Sequence, residues 1–127
     1  LATVVPNWSK YEAYNKMKPI LERHKDKMEL VISNNDSMAI GVITAMRQAG
    51  MFERKPWIPV VGIDGIEESK ELLKKGELFG TVLNDSETQG KAIAELADCL
   101  LNKKDLSTMN FELTDNKYIF IDYQIIQ

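Results

Sequence analysis

The sequence predicts an α/β protein in which helices flank a parallel sheet, giving three layers. Two observations carry this prediction. Residues 58–85 read as strand, turn, helix and strand, and the order of strand, polar turn and helix recurs along the chain. The 127 residues, 44% of them hydrophobic and 28% charged, have the size and composition of one ordinary soluble domain. Such an alternation favours parallel strands joined by right-handed crossovers.

The stretch 58–85 is the clearest unit of this pattern. Its apolar, β-branched beginning at 58–63 is typical of a strand buried on both faces of a parallel sheet. A turn at Asp64 ends that strand, and an amphipathic helix is predicted over roughly residues 67–75. A second strand over 78–83 completes the unit. A polar residue therefore stands at the carboxyl end of each strand.

The rest of the chain supplies further elements on the same grounds. They are, in order, a strand over 1–5, a helix that begins with a capping box at Ser9 and Glu12, a strand over 29–33, a helix that Asp36 caps and Gly50 closes, a long helix over roughly 87–103, and a last strand over 118–123 or beyond.

Composition and motifs exclude several classes of function. The net charge is −3, from 16 basic and 19 acidic residues without a basic cluster, so no nucleic-acid partner is expected. The single Cys99 excludes an internal disulfide, and no apolar run approaches the roughly 20 residues of a membrane span. The only histidine, His24, lies among charged residues and is expected on the surface. With no phosphate-binding or catalytic motif present, an enzyme is not expected.

Four residues at predicted strand ends form a candidate ligand site: Trp8, Asn35, Asp64 and Asn84. In open α/β sheets, ligands bind just outside the carboxyl ends of the strands. Amide side chains suit sugar hydroxyls because they both donate and accept, and a carboxylate accepts two strong hydrogen bonds from neighbouring hydroxyls. An indole can cover the apolar face of a pyranose. The set predicts sugar binding rather than catalysis.

Each of these residues also has an ordinary structural interpretation. Asp64 with its following glycine can simply form a turn, and Asn35 can do the same. Asn84 with the following Asp85 can serve helix capping, and Trp8 can be a packing residue of the core or its rim. Their common placement at strand ends is what favours the site.

Four stretches resemble a known family: SNNDSMAIGVITAM, PVVGIDG, KKGELFGTVLNDSETQGKA and DNKYIFIDY. They are similar to the periplasmic galactose/glucose-binding proteins, the substrate-binding components of sugar ABC transporters, which have a type I two-lobed fold. The resemblance implies that Trp8 stacks on the sugar and that Asn35, Asp64 and Asn84 hydrogen-bond to it. It also implies a membrane permease and a chemoreceptor as partners, and a periplasmic or surface-anchored, lipoprotein-like location.

The resemblance covers the C-terminal part of the family, well under half of a whole member. It implies that residues 1–84 form part of the C-terminal sugar-binding lobe, that 85–115 cross to the N-terminal lobe, and that 116–127 return as a closing strand. The sequence departs from the family at Asp122, where a proline is expected. If the helix over 87–103 lacks its own lobe, its apolar face needs another cover. We therefore expect a fragment that repacks, pairs with a second copy or joins a missing half.

A calcium site is a further feature that the resemblance implies, and its one ligand in this region falls on Glu29. The loop that supplies the other ligands is not in this sequence. Calcium prefers six to eight oxygen ligands, so calcium is expected only in a full-length parent, and no cofactor is expected here.

Two other functions remain open. The effector-binding domain of a sugar-responsive LacI-type transcription regulator shares the fold and a similar NDSMAIG pattern. An upstream helix-turn-helix would favour that regulator, whereas a signal sequence, absent from this chain, would favour the transporter. A phosphoacceptor receiver domain fits the length and the α/β pattern. It lacks support because no acidic cluster ends the first strand and no lysine ends the last.

Overall fold

The computed structural model describes residues 2–53 and 58–127, and within them the α/β class is confirmed. The helices are α1 (Lys10–His24), α2 (Asp36–Gln48), α3 (Glu67–Lys74) and α4 (Ser86–Leu101). The strands are β1 (Val31–Ile32), β2 (Val60–Asp64), β3 (Gly80–Leu83) and β4 (Gln124–Ile126). Short 3-10 turns occupy Lys25–Lys27, Met51–Glu53 and Leu106–Thr108. None of the described helices is both long and apolar enough to cross a membrane.

The four strands of the described residues form one sheet in the order β1-β2-β3-β4. The first three strands are parallel, as predicted, and β4 runs antiparallel to β3. The register pairs Val31 with Val60 and Gly62 with Thr81. Because β1, β2 and β3 run in the same direction, their carboxyl ends lie at one edge of the sheet.

The chain divides into two compact units. The first comprises Leu1–Leu83 and Gln124–Gln127 and contains the whole sheet with α1, α2 and α3. The second comprises Asn84–Tyr123 and contains α4 and the 3-10 turn that follows it. Within the second unit α4 buries Ala92 and Cys99, while Ile93 and Leu100 from its apolar stripe are exposed.

Local hydrogen bonds explain where α1 begins. Ser9 Oγ accepts from the Glu12 backbone N–H at 3.2 Å, as the predicted capping box requires. The reciprocal half of the box does not form, because the Ser9 N–H donates to Pro6 O at 2.9 Å. The Glu12 carboxylate accepts instead from Asn7 Nδ2 at 3.1 Å. The helix then continues without interruption through Pro19 to His24.

The core of the first unit lies between the helices and one face of the sheet. Helix α2 is buried on nearly all sides, with Ile43 and Met46 fully inaccessible, because α1 packs on it from outside and the sheet from inside. The two helices approach closely at Gly41, where a Cβ would overlap the Lys10 carbonyl oxygen. Burying an aliphatic side chain of this size stabilises the fold by about 1.5–3 kcal/mol. The cluster consists of Met17, Leu21, Ala39, Ile40, Val42, Ile43, Ala45, Met46, Ile58, Val60, Leu72 and Leu78.

The prediction that the strand at 58–63 is buried on both faces is wrong. Along β2, Val60 is fully buried and Ile63 is 37% exposed. The register places Ile32 and Ile125, which are 71% and 74% exposed, on the same face as Ile63. Helices α1, α2 and α3 all contribute to the core on the opposite face, so they leave this apolar face uncovered.

Two other predicted strands need correction. Residues 2–5 form no strand, and Leu1 lies outside the described residues. Val4 and Val5 are exposed and have no sheet partner, and without a ladder partner the backbone cannot form a strand. The last strand begins at Gln124 rather than near Tyr118, because 124–126 pair with β3 whereas Tyr118 makes only one isolated bridge, to Thr114.

Candidate functional site

Three of the four predicted site residues lie at the ends of the three parallel strands. Asp64 is the last residue of β2, Asn35 follows β1 after a short turn, and Asn84 comes directly after β3. Trp8 lies just ahead of α1. The first unit contains Trp8, Asn35 and Asp64, and Asn84 is the first residue of the second unit.

Asn35 caps α2. Its Oδ1 accepts from the Met38 backbone N–H at 2.9 Å, and its extended backbone, with φ −154°, fits the cap position. The prediction that Asp36 would be this cap is therefore wrong. The Asn35 side chain is half-buried, and its Nδ2 donates to no residue within 2–53 and 58–127. The capping and ligand-binding interpretations of Asn35 are compatible, because the cap uses only the amide oxygen.

Asp36 is instead a fully buried carboxylate. Its Oδ2 accepts from the Gly65 N–H at 2.8 Å and the Ile66 N–H at 3.0 Å. Ser69 Oγ donates to the same oxygen at 2.6 Å, and Thr81 Oγ1 donates to Oδ1 at 2.7 Å. Four donors around one carboxyl satisfy the charge that burial would otherwise penalise. Asp36 thereby joins the start of α2 to the turn before α3 and to β3.

Sequence reasoning missed this role of Asp36. Residues 34–36 are three successive polar residues ahead of an apolar helix, and a helix needs only one of them as its cap. The presence of three polar residues where one cap is enough indicates that another of them has a role outside the cap. Nothing in the linear order shows that Ser69 and Thr81 converge on it.

Asp64 occupies an unusual backbone conformation at the end of β2. Its φ is 124°, which residues with a side chain rarely adopt, and Gly65 follows with φ 72°. Burial raises the pKa of the Asp64 carboxyl, the charge of Asp36 raises it further, and the Asp36 backbone N–H lowers it. Hydrogen bonds from the Gly65 and Ile66 N–H groups to Asp36 Oδ2 place the turn that follows Asp64 beside the N-terminus of α2, one residue from Asn35.

Trp8 presents its indole to solvent. The side chain is 67% exposed, so the alternative interpretation of Trp8 as a core residue is wrong. An ion pair ties the beginning of α1 to the first turn of α3, with Lys10 Nζ 2.6 Å from Glu68 Oε1. Trp8 precedes Lys10 by two residues, and Asp64 precedes Glu68 by four. Trp8 and Asp64 therefore lie at the same end of the first unit.

Asn84 is exposed, and its Oδ1 accepts from Gln89 Nε2 at 2.6 Å. The cap of α4 is its neighbour Asp85, which accepts from the Thr88 N–H at 3.0 Å and from Thr88 Oγ1 at 2.7 Å. These hydrogen bonds hold the pKa of Asp85 below its usual value. The capping role that the sequence left open for Asn84 and Asp85 belongs to Asp85.

The described parts of the chain contain no cluster of side chains that could bind a metal ion. Glu29 is exposed just ahead of β1. Among residues 2–53 and 58–127, no group of three or more His, Cys, Asp or Glu side chains is close enough to hold a metal ion. Glu29 as a calcium ligand of a longer parent stays a prediction.

The donor set of the first unit suits binding rather than bond cleavage. It offers a half-buried carboxylate as acceptor, an amide nitrogen as donor and an exposed indole as a stacking surface. A neutral ligand rich in hydroxyl groups and C–H faces matches those three functions.

Comparison with known proteins agrees with this chemistry. The family described as "Periplasmic binding protein domain" matches residues 1–105. The chain belongs to this family of periplasmic binding proteins. Over 98 residues it is 41% identical to the D-galactose/methyl-galactoside binding periplasmic protein of Haemophilus influenzae, covering 76% of this chain and 28% of that protein. Over 108 residues it is 34% identical to a xylitol-binding protein of Mycolicibacterium smegmatis, covering 85% and 30%.

A solved structure shows the same fold. The ABC transporter periplasmic solute binding protein from Actinobacillus succinogenes, with bound D-allose, superposes with a TM-score of 0.78 at 26% identity. The superposition covers 95% of this chain and 38% of that one. The chain thus spans under two fifths of the length of these proteins. The names of all three describe binding proteins.

Proposed function

We propose that this chain contributes to the binding site for a monosaccharide in the substrate-binding component of an ABC sugar importer. The observation that carries the proposal is that Asp64 is half-buried at the end of β2 and that the turn after it is hydrogen-bonded to Asp36 at the N-terminus of α2. The names of the three proteins compared above give D-galactose with methyl-galactoside, xylitol and D-allose as their ligands, all neutral polyhydroxyl compounds.

Each residue has a proposed role that follows from its chemistry. Asp64 accepts hydrogen bonds from two neighbouring sugar hydroxyls, and Asn35 Nδ2 donates to a third oxygen while Oδ1 keeps its cap. Trp8 covers the apolar face of the ring with its indole. Asn84 is proposed as a further hydrogen-bonding residue on the resemblance alone.

For the sugar itself we propose galactose or glucose. Support comes from the 41% identity to the galactoside-binding protein, the highest among the proteins compared above. The xylitol-binding protein and the allose complex show that related chains accept other polyols and sugars. A pocket of amides and one carboxylate discriminates by the positions of hydroxyls, so the epimers of glucose are the informative competitors.

The proposed partners follow from the family. They are a membrane ABC permease that reads the closed, sugar-bound state, and a chemoreceptor, both on the periplasmic side. The names of the relatives describe binding proteins, which gives the transcription-regulator alternative no support. Pairing of two copies through exposed apolar surface also stays a proposal.

The test is calorimetry and tryptophan fluorescence of the chain titrated with galactose, glucose, xylitol and allose. Because the chain spans under two fifths of its relatives' length, we expect only weak hexose binding, and we expect Asp64→Asn to weaken it a further tenfold or more, since hydrogen bonds to a charged group are worth about 1.5–3 kcal/mol each. Asp115→Asn is the matched control, because Asp115 is also an aspartate with positive φ, at 53°. Trp8→Phe assigns the fluorescence change, since Trp57 is the second tryptophan. Equal affinities for Asp64→Asn and the unmodified chain would contradict the proposed site.

A further inference from the structure

The buried carboxylate of Asp36 is the strongest feature that the proposed sugar contacts do not use. It is inaccessible to solvent, and so are its partners Ser69 and Thr81, with 0% and 2% exposure. A sugar cannot reach Asp36. Its effect on a ligand must therefore pass through the residues that it holds.

Two of those residues form the turn after Asp64. The Gly65 and Ile66 amides that donate to Asp36 Oδ2 are the two that directly follow Asp64 in the chain. Ser69 anchors the same oxygen to the first turns of α3. On the other oxygen, the bond from Thr81 fixes the carboxylate to the neighbouring strand β3. The turn after Asp64 is thus bound to an acceptor that is itself fixed by the sheet.

Asp64 needs such support because its own backbone is unfavourable. With φ at 124° it occupies a region that is almost restricted to glycine, and a side chain there persists only when the surrounding structure enforces it. Conformations of this kind concentrate at ligand sites. The two amides that follow Asp64 provide the enforcement here, since both are bound to one buried oxygen.

The sheet leaves room for this arrangement at Gly62 in β2. A Cβ on Gly62 would overlap Asp36 Oδ1, so a side chain there would displace the carboxylate. Gly65 is equally constrained, because its φ is 72° and a Cβ would come within 2.8 Å of Leu83 Cδ1. Gly62 is therefore required to make room for the Asp36 carboxylate, and Gly65 is required by the conformation of the turn that donates to it.

We infer that Asp36 is a positioning residue: its carboxylate holds the turn after Asp64 and so sets the direction in which the Asp64 side chain faces. This inference rests on the proposed function for its consequence in sugar binding. Its structural content, the dependence of the turn on Asp36, stands independently of any sugar.

Three substitutions separate positioning from general stabilisation. Asp36→Ala removes all four hydrogen bonds. Asp36→Asn can retain them, because its amide oxygen can accept from the turn while its Nδ2 donates to Thr81 Oγ1 acting as acceptor. Thr81→Val removes one bond of the network, and Thr44→Val is its matched control, because Thr44 Oγ1 donates to Ile40 O within α2, away from the turn.

The first measurement is NMR of the chain without sugar, which reads the amide proton shifts and exchange of Gly65 and Ile66 and the HN–Hα coupling of Asp64. We expect Asp36→Ala to lose the shifts and protection, Asp36→Asn to keep them, and Thr81→Val to disturb them more than Thr44→Val. Unchanged Gly65 and Ile66 signals in Asp36→Ala would overturn the inference. If that variant does not fold, identical turn signals in Thr81→Val and Thr44→Val would overturn it instead.

The second measurement is galactose and glucose affinity of the same variants. We expect about a tenfold loss in Asp36→Ala, the size of one misdirected hydrogen bond to a charged acceptor, and rescue by Asp36→Asn. A loss in Asp36→Asn as large as in Asp36→Ala would overturn positioning through hydrogen bonds. If the unmodified chain binds neither sugar, the proposed function fails for this chain, and the NMR signals alone decide the inference.

Discussion

Helices α2 and α4 begin in the same way and end up in different surroundings. Each follows a parallel strand, and each is capped by a side-chain oxygen, from Asn35 in α2 and from Asp85 in α4. The first buries Ile43 and Met46 completely, whereas the second leaves Ile93 68% exposed. Local sequence is therefore enough to start and stop a helix, and burial depends on what packs against it.

The largest difference between the two helices should appear on truncation of an apolar side chain. Ile43→Ala leaves a cavity between α1, α2 and the sheet, so we expect it to lower the free energy of unfolding by about 2–5 kcal/mol. Ile93→Ala removes an exposed side chain and should change it by no more than about 0.5 kcal/mol. Urea unfolding of both variants measures the contrast.

One result would break this comparison in an informative way. If Ile93→Ala destabilises the chain as strongly as Ile43→Ala, then the apolar face of α4 is covered in solution. Unfolding midpoints that rise with protein concentration would then identify a second copy as the cover. Midpoints independent of concentration, with a small effect of Ile93→Ala, would argue against self-association through α4.

The contrast also explains what the sequence could and could not predict. The order of elements from α1 onwards and the cap at Ser9 were predictable because they depend on periodicity and on groups three or four residues apart. The sequence predicts Asp36 as the cap of α2 where the structure has Asn35, because both are good cap residues and only the folded structure shows which one is buried. Likewise Ile63 belongs to a run with no polar alternation, and its exposure depends on which helices are present to cover it.

The candidate site also has features that the sequence predicts and features that it does not. Placement of Asn35 and Asp64 after parallel strands follows from topology alone, and the sequence was sufficient to predict it. The unusual φ of Asp64 and the four donors around Asp36 depend on residues up to 45 positions apart. Such convergence has no signature in a single sequence, because each partner, taken separately, is an ordinary serine, threonine or backbone amide.

Removing the N-terminal cap should destabilise α2 and α4 to a similar, moderate extent. Asn35→Ala and Asp85→Ala each remove a cap, which typically lowers stability by about 1 kcal/mol. The Met38 amide, bound to Asn35 Oδ1, and the Thr88 amide, bound to Asp85 Oδ1, should therefore exchange faster in the respective variant. Hydrogen exchange followed by NMR measures both sites, with Asn15→Ala on the exposed side of α1 as the neutral control. Protection unchanged at Met38 in Asn35→Ala would contradict the cap assignment.

The smallest expected effect is a difference in the pH at which two carboxyls near helix N-termini take up a proton, Asp64 beside α2 and Asp85 at the start of α4. The pKa of Asp64 is raised, chiefly by burial and then by the charge of Asp36, while the pKa of Asp85 is lowered by its bonds to Thr88. On acidification Asp64 should therefore take up its proton before Asp85. For Asp85, whose folded pKa is depressed, the stabilisation is present above the unfolded pKa and is lost as pH falls through the folded pKa.

The contribution of Asp64 to stability changes with pH in the opposite direction to that of Asp85. Its folded pKa lies above the unfolded value, so ionisation of this carboxyl opposes folding as pH rises between the two, and protonation relieves that opposition. Protonation also removes the acceptor proposed for the sugar. On acidification, hexose affinity should therefore begin to fall at a higher pH than it would if the aspartate had an ordinary pKa. Carboxyl carbon NMR titration measures both groups, and Asp36→Asn should lower the pKa of Asp64 by removing the neighbouring charge. An Asp64 that titrates below Asp85 would show that the carboxyl of Asp64 is not held in the half-buried position beside α2 on which its role as a sugar acceptor depends.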